Sequence, residues 1–314
     1  MKRTIDGFFK PNQPKSHAVE ASTDLPSKHE TYPFPVAQLP APITDDLGFV
    51  PAMEGRPIND RLDLDIVYYQ PYIPKEIEKD LFQFLRRELF FYRVRYNIKR
   101  GPVETQINTP RFTTVFGVDE SSIFSPEGQV LDSSTKKPVS KDRYKCKPRP
   151  IPECLDYLRR ITEQSTDQKY NFCLVNYYAN GDDSISYHSD DERFLGSNPA
   201  IASFSLGAKR DFLLKHKPLS SDKRDTTVDQ KPMKLPLASG DMILMRGPTQ
   251  ANWLHSIPKR KGDESKKGRI NITFRRAMVK GGTENYYTYN VGSGDVYTWN
   301  DQKQEMVPWV PAKP

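Results

Sequence analysis

From residue 171 onward the hydrophobic period of this chain is two. Seven short runs rich in β-branched and aromatic residues, 171–178, 185–188, 200–206, 212–216, 242–245, 253–257 and 269–275, are separated by glycine, proline, asparagine and aspartate. Side chains in a strand alternate between faces, so such runs each bury one side or both. Many short strands with turn signals between them predict a sandwich or barrel. The fold class expected is therefore mainly β with flanking helices.

Upstream of these runs the period changes. A strand is expected over 63–69, stopped by Pro71 and Pro74. From Lys75 the residues Ile77, Leu81, Phe84, Leu85 and Phe90 draw one apolar stripe, which predicts a helix lying over the sheet. A second helix is expected over 151–163, with Leu155, Leu158 and Ile161 facing inward. Two lysine-rich stretches, 217–234 and 258–268, read as surface insertions. Residues 1–60 read as a proline-rich tail, since Pro33, Pro35, Pro40, Pro42, Pro51 and Pro57 leave no persistent period. Such a segment cannot bury enough surface to offset the entropy of ordering it. Residues 286–314 read as a C-terminal tail, leaving 61–285 as the folded domain.

Several classes are excluded. No apolar stretch approaches the ~18–20 residues that span a bilayer, and MKRTIDGFFKP lacks the apolar core of a signal peptide. A soluble, intracellular protein without a membrane partner is expected. Cys146, Cys154 and Cys173 are odd in number and lack CxxC spacing, which fits free thiols in a reducing compartment. Lysine and arginine outnumber aspartate and glutamate by 47 to 40, a formal charge of +7. That balance suits a polyanionic partner without requiring one.

The chemistry concentrates on few residues. Of five histidines, His188, His216 and His255 fall in the folded part. His188 and Asp190, two apart at a strand, can point to one side, and His255 follows on another strand. Two imidazoles and one carboxylate form the facial triad that holds ferrous iron and leaves positions open. In the run 269–275, Ile270, Ile272 and Phe274 take one face, and Arg269, Asn271, Thr273 and Arg275 the other. A solvated strand gives the same alternation. If the polar face instead lines a barrel, its two guanidinium forks suit a dicarboxylate such as 2-oxoglutarate. Asn176 and Tyr178 share one face of their own strand and can complete that pocket.

His188-x-Asp190, His255 and the RxNxTFR run resemble the AlkB family of oxidative dealkylation enzymes. The segments YHSDDERFLGSNPAIASFSLGAKRDF, GPTQANWLHSIPK and GRINITFR look nearest to its eukaryotic nuclear type, and the resemblance runs from about residue 62 to 280. It implies a double-stranded β-helix, or jelly-roll, at about 170–280 with an N-terminal nucleotide-recognition lid at about 92–150. It implies Fe(II) on His188, Asp190 and His255, and O2 and 2-oxoglutarate as co-substrates. Asn176, Tyr178, Arg269, Asn271, Thr273 and Arg275 carry over as 2-oxoglutarate contacts, Arg269 at the distal carboxylate and Arg275 nearer the metal.

The implied activity is DNA repair, namely oxidative demethylation of lesions of the 1-methyladenine and 3-methylcytosine type, with release of formaldehyde and succinate. RNA or transfer RNA is the rival substrate, and a protein or small-molecule hydroxylase is the rival activity. By the same resemblance Asp191 and Glu192 are candidates to accept hydrogen bonds from an exocyclic amine, against a solvated acidic turn. Phe124 is the stacking candidate, against core packing, and Arg111 a backbone contact, against surface charge. Lys259, Arg260, Lys261, Lys266 and Lys267 either grip phosphates or keep a loop solvated. Residues 125–149 are longer and more basic than the lid of the family. At the N-terminus Ile5, Phe8 and Phe9 fall at i, i+3 and i+4. The stretch 2–9 resembles the box by which repair proteins dock on a sliding clamp, with Lys2 where that box carries glutamine. Nuclear residence and a monomeric state complete the expectation.

Overall fold

The structure is a computed structural model that describes residues 36–48, 51–100, 102–144, 146–218, 231–284, 286–287 and 295–310. The expected clamp box at Ile5, Phe8 and Phe9 lies outside these residues. In chain order the elements are α1 (Ala41–Leu47), β1 (Arg56–Ile58), β2 (Ile66–Tyr69), α2 (Lys75–Glu88), β3 (Phe91–Tyr92), β4 (Arg95–Arg100), β5 (Val103–Asn108), β6 (Phe112–Gly117), β7 (Ser122–Phe124) and β8 (Val130–Asp132). They continue as α3 (Glu153–Thr166), β9 (Phe172–Tyr178), β10 (Ile185–His188), β11 (Ile201–Gly207), β12 (Arg210–His216), β13 (Met233–Leu237), β14 (Met242–Met245), α4 (Thr249–Asn252), β15 (Trp253–Ile257), β16 (Arg269–Arg275), β17 (Val296–Asn300) and β18 (Glu305–Pro308).

Two antiparallel sheets carry the architecture. The larger runs β1-β2-β14-β11-β16-β9-β6-β3-β17-β18, and the smaller runs β10-β15-β12-β13. The seven period-two runs all form strands, at the expected places to within two residues. One face of the large sheet packs on the helices. There Val175, Tyr177, Phe204, Ile270, Ile272 and Phe274 meet Leu81, Leu85, Leu155 and Leu158. The other face meets the small sheet through Leu174, Tyr178, Ile201, Phe212, Leu214, Ile243 and Trp253. The result is the expected jelly-roll with helices on one side.

The helices follow from local chemistry. Pro74 and Pro152 stand at the N-caps of α2 and α3, where a proline interrupts no intrahelical bond. Glu76 and Glu78 begin α2 and Arg86 and Arg87 end it, each sign opposing the helix dipole. Phe90, read as part of the α2 stripe, lies past the helix, because Leu89 already has extended backbone, and Phe90 packs against Trp309 instead. Ile161 is only partly buried. The strand expected from Asp63 begins at Ile66, since Asp63 takes a left-handed φ of 57°.

Four further expectations are corrected. Within the supposed tail, Leu39, Ile43 and Leu47 of the α1 region sit in the helix-side core, and β1 pairs with β2. A single heptapeptide helix escapes a periodicity search. Within the supposed C-terminal tail, β17 pairs with β3 and extends the large sheet, and Tyr287 is fully buried. Inside the stretch expected as a lid, β6 belongs to the large sheet, leaving the β4–β5 and β7–β8 hairpins apart from it. The stretch read as one surface insertion ends in β13, which pairs with β12. The α1 correction is testable. Leu47 is fully buried, so Leu47→Ala should cost about 2–5 kcal/mol in chemical denaturation. A cost within about 0.5 kcal/mol, as at a free surface, would show that α1 is no part of the fold.

Candidate active site

The two sheets face each other across a solvent-open cavity. From the small sheet, His188 on β10 lies directly across from His255 on β15, with ring centroids 4.2 Å apart. Asp190, two residues past the end of β10, is held by its backbone N–H, which donates to the Gln250 side chain of α4 at 2.9 Å. The Nε2 atoms of both histidines then lie 3.8 Å from the Asp190 carboxylate oxygens. One atom from each residue fits within a 4.8 Å span, the only such cluster of three His, Cys, Asp or Glu found among the described residues.

Electrostatics prepare these groups as ligands. Burial, which opposes the charged imidazolium, pushes His255 down to about 3 and also lowers His188. Both rings therefore present neutral nitrogen. His188 Nδ1 lies 2.9 Å from the Ser186 carbonyl, which can only accept, so the proton sits on Nδ1 and the Nε2 lone pair is free. Phe212 stacks on the His255 ring at 5.2 Å and fixes its plane. Burial is the largest influence and works against an ionised Asp190, but Arg275 at 3.1 Å, His255 and His188 together offset it and hold the carboxyl below its ordinary range.

From the large sheet, β16 supplies a polar row that lies wholly inside. All seven of its residues are buried, so the alternation divides helix-side core from cavity rather than core from solvent. Arg269 pairs in register with Tyr178, Asn271 with Asn176 and Ser205, and Thr273 with Ser203. Asn271 donates to Ser203 Oγ at 2.9 Å and Thr273 to the Leu174 carbonyl at 3.0 Å. Arg269 donates from Nη2 to Ser205 Oγ at 2.9 Å, with its guanidinium 5.3 Å from the Tyr178 ring. Its Nε and Nη1 are buried with no hydrogen-bond partner, and burial lowers its pKa to about 10. A buried guanidinium with two idle donors at a cavity wall is a site made for an anion.

The arrangement is that of an oxygenase that holds a metal and an acidic co-substrate side by side. Residues 65–275, more than half of the chain, match the sequence profile of the 2OG-Fe(II) oxygenase superfamily. The chain belongs to this family. Two curated relatives refine the likeness. Alpha-ketoglutarate-dependent dioxygenase alkB homolog 3 of Homo sapiens is 42% identical over 118 residues, 38% of this chain and 40% of the relative. DNA oxidative demethylase ALKBH2 of Homo sapiens is 39% identical over 134 residues, 42% of this chain and 49% of the relative. The aligned stretches thus cover less than half of either relative. The oxygenase fit is specific in this chain: the donor set suits Fe(II), and the idle donors of Arg269 suit one carboxylate of 2-oxoglutarate.

The outer residues sort differently from expectation. Glu192 lines the cavity, whereas its neighbour Asp191 points outward, half exposed, and pairs with Lys217 at 2.7 Å. Arg111 also lines the cavity, where its Nε donates to Asn176 Oδ1 at 3.2 Å. Its guanidinium is thus turned to the cavity rather than left as a free surface charge. Phe124 does not line the cavity. Its hairpin pairs it with Val130, and it packs with Val118, Val130 and Tyr144. Lys259, Lys261, Lys266 and Lys267 are exposed, Lys266 in a surface pair with Asp263.

Four contributors escaped the sequence reading. Ser203 and Ser205 were signalled by the alternation of ASFSL beside the better-marked strands. Phe212 and Gln250 reach the site only through sheet pairing and a short helix, for which the sequence carries no local sign.

Proposed function

We propose that this oxygenase removes methyl groups from alkylated DNA bases by oxidising the methyl carbon with O2 and 2-oxoglutarate, leaving the repaired base, formaldehyde, succinate and carbon dioxide. The observation that carries the reading is the cavity itself. A triad of metal-ligand type faces a row whose guanidinium keeps two donors idle, and a carboxylate for a base stands at its edge. His188, Asp190 and His255 hold the iron. Arg269 takes the distal carboxylate of 2-oxoglutarate, with Tyr178, Asn176, Asn271 and Thr273 shaping its bed, and Arg275 steadies the metal end through Asp190. When bound, Fe(II) with 2-oxoglutarate activates O2 and supplies the oxidising power. The protein's part is to orient the reactants and to exclude water.

DNA as substrate is supported by the ALKBH2 relative, whose name states that activity, and by the net positive charge. A damaged base must leave its stack to enter such a cavity, which Glu192 and Arg111 line. Conversion of 3-methylcytosine to cytosine in single- and double-stranded oligonucleotides, read by mass spectrometry with and without 2-oxoglutarate, tests this. Turnover of 2-oxoglutarate with every oligonucleotide unchanged would refute DNA as substrate.

The repair reading extends to place and partner. A monomer acting in the nucleus, docked on the sliding clamp through Ile5, Phe8 and Phe9, fits a replication-coupled enzyme. In a pull-down with the clamp, Phe8→Ala with Phe9→Ala should abolish capture. Capture equal to that of the unaltered chain would remove the clamp from the scheme.

A further inference from the structure

Tyr286 is the unexpected member of the cavity wall. It lies beyond residues 65–275, the part that matches the oxygenase family, yet its side chain lines the site. Three aromatic and cationic groups hold the ring. Phe172 and Phe194 meet it edge-on at 5.3 and 5.6 Å, and the Arg275 guanidinium stands 5.4 Å from its centroid. The segment that carries it is anchored on both sides, by the Met278 N–H donating to the Phe194 carbonyl at 2.7 Å and by fully buried Tyr287.

Among the described residues the Tyr286 hydroxyl meets two partners of opposite kind. It accepts from Arg275 Nη1 at 2.7 Å and donates to Glu192 Oε1 in a short hydrogen bond. A hydroxyl whose acceptor side is taken by a guanidinium must turn its single proton toward the carboxylate. That bond fixes the Glu192 rotamer. The second oxygen, Oε2, is buried, has no hydrogen-bond partner and belongs to a residue on the cavity wall. Its nearest cation, Arg275 Nη1, is 3.9 Å away, beyond hydrogen-bond range. A buried carboxylate oxygen left with an unused lone pair calls for a donor from whatever enters the cavity.

We propose that Tyr286 is a substrate-positioning residue. It locks Glu192 so that Oε2 accepts a hydrogen bond from the exocyclic amine of the methylated base. The demethylase reading already implies a base with an amine beside its methylated ring nitrogen, as in 3-methylcytosine, and Tyr286 is the residue that enforces that preference. A base with a carbonyl at that place, as in 3-methylthymine, offers Oε2 an acceptor and is disfavoured. This inference rests on the demethylase reading above.

The test compares the two lesions in otherwise identical single-stranded oligonucleotides. For Tyr286→Phe the ratio of kcat/KM on 3-methylcytosine to that on 3-methylthymine should fall about tenfold, the scale of one lost orienting hydrogen bond. The same ratio should fall in equilibrium binding of the metal-free protein, read by fluorescence anisotropy, which needs no turnover. Glu192→Gln should lower the ratio too, and adding Tyr286→Phe to it should change little more, because both act through one carboxylate. An equal loss on both lesions, or additive effects of the two substitutions, would overturn the positioning role. Failure of the unaltered enzyme on both lesions would instead strike the demethylase reading itself.

Discussion

Replacing Asp190 with alanine should abolish 2-oxoglutarate turnover and destabilise the protein at once. The carboxylate stands between both histidine Nε2 atoms and Arg275. Without it only two imidazole ligands remain, which no longer form a facial triad. Succinate formation should fall to background, about 10³-fold or more, when the metal-activated step is lost. The Arg275 guanidinium would also lose its closest anion while 3% exposed. Removing one partner of a buried pair costs about 3–5 kcal/mol, so the melting temperature should drop as well. Asp190→Asn separates the effects, since it keeps an acceptor near Arg275 but removes the ligand charge. Iron stoichiometry near unity in Asp190→Ala, with turnover retained, would remove the triad from the mechanism.

Arg269→Leu should do the opposite to stability while removing the co-substrate. Nε and Nη1 of Arg269 are buried and idle, and the side chain is 1% exposed. A buried charge without a counter-ion is a cost to the fold, and an apolar side chain of similar bulk is neutral or stabilising there. The ligand-free variant should therefore melt at or above the unaltered protein. Charge-assisted hydrogen bonds are worth about 1.5–3 kcal/mol each, so losing two should raise the KM for 2-oxoglutarate at least about 100-fold. Thermal stabilisation by added 2-oxoglutarate, which mass action confers on any native-state ligand, should disappear. Arg269→Lys should recover part of the affinity, keeping the charge without the planar fork. If Arg269→Leu binds 2-oxoglutarate as tightly as the unaltered chain, the distal carboxylate lies elsewhere.

How much of this was legible beforehand differs by residue. The β16 row was legible because its signal is local: a two-residue repeat puts side chains on one face whatever the strand later pairs with. By contrast β10 ends at His188, and Asp190 beyond it is aimed by its hydrogen bond to Gln250. The burial of the whole β16 row was not legible, because alternation looks the same whether the polar face meets water or a second sheet. Phe124, for which stacking on a base and core packing are both open from the sequence, shows a related limit. Its spacing matched the lid of a family, but its neighbours Val130 and Tyr144 were what decided where the ring went.

The sequence by itself determined the strand period, the helix starts behind Pro74 and Pro152, and the residue types of the triad and the anion row. These depend on interactions within a few positions of the chain. Only the tertiary structure decided that His255 pairs with His188, that Glu192 turns inward while Asp191 turns out to Lys217, and that Tyr286 closes the cavity wall. Each of those contacts joins segments on different elements or opposite faces. Their free energy comes from burial and from hydrogen bonds formed once the sheets have closed, and no local pattern records it.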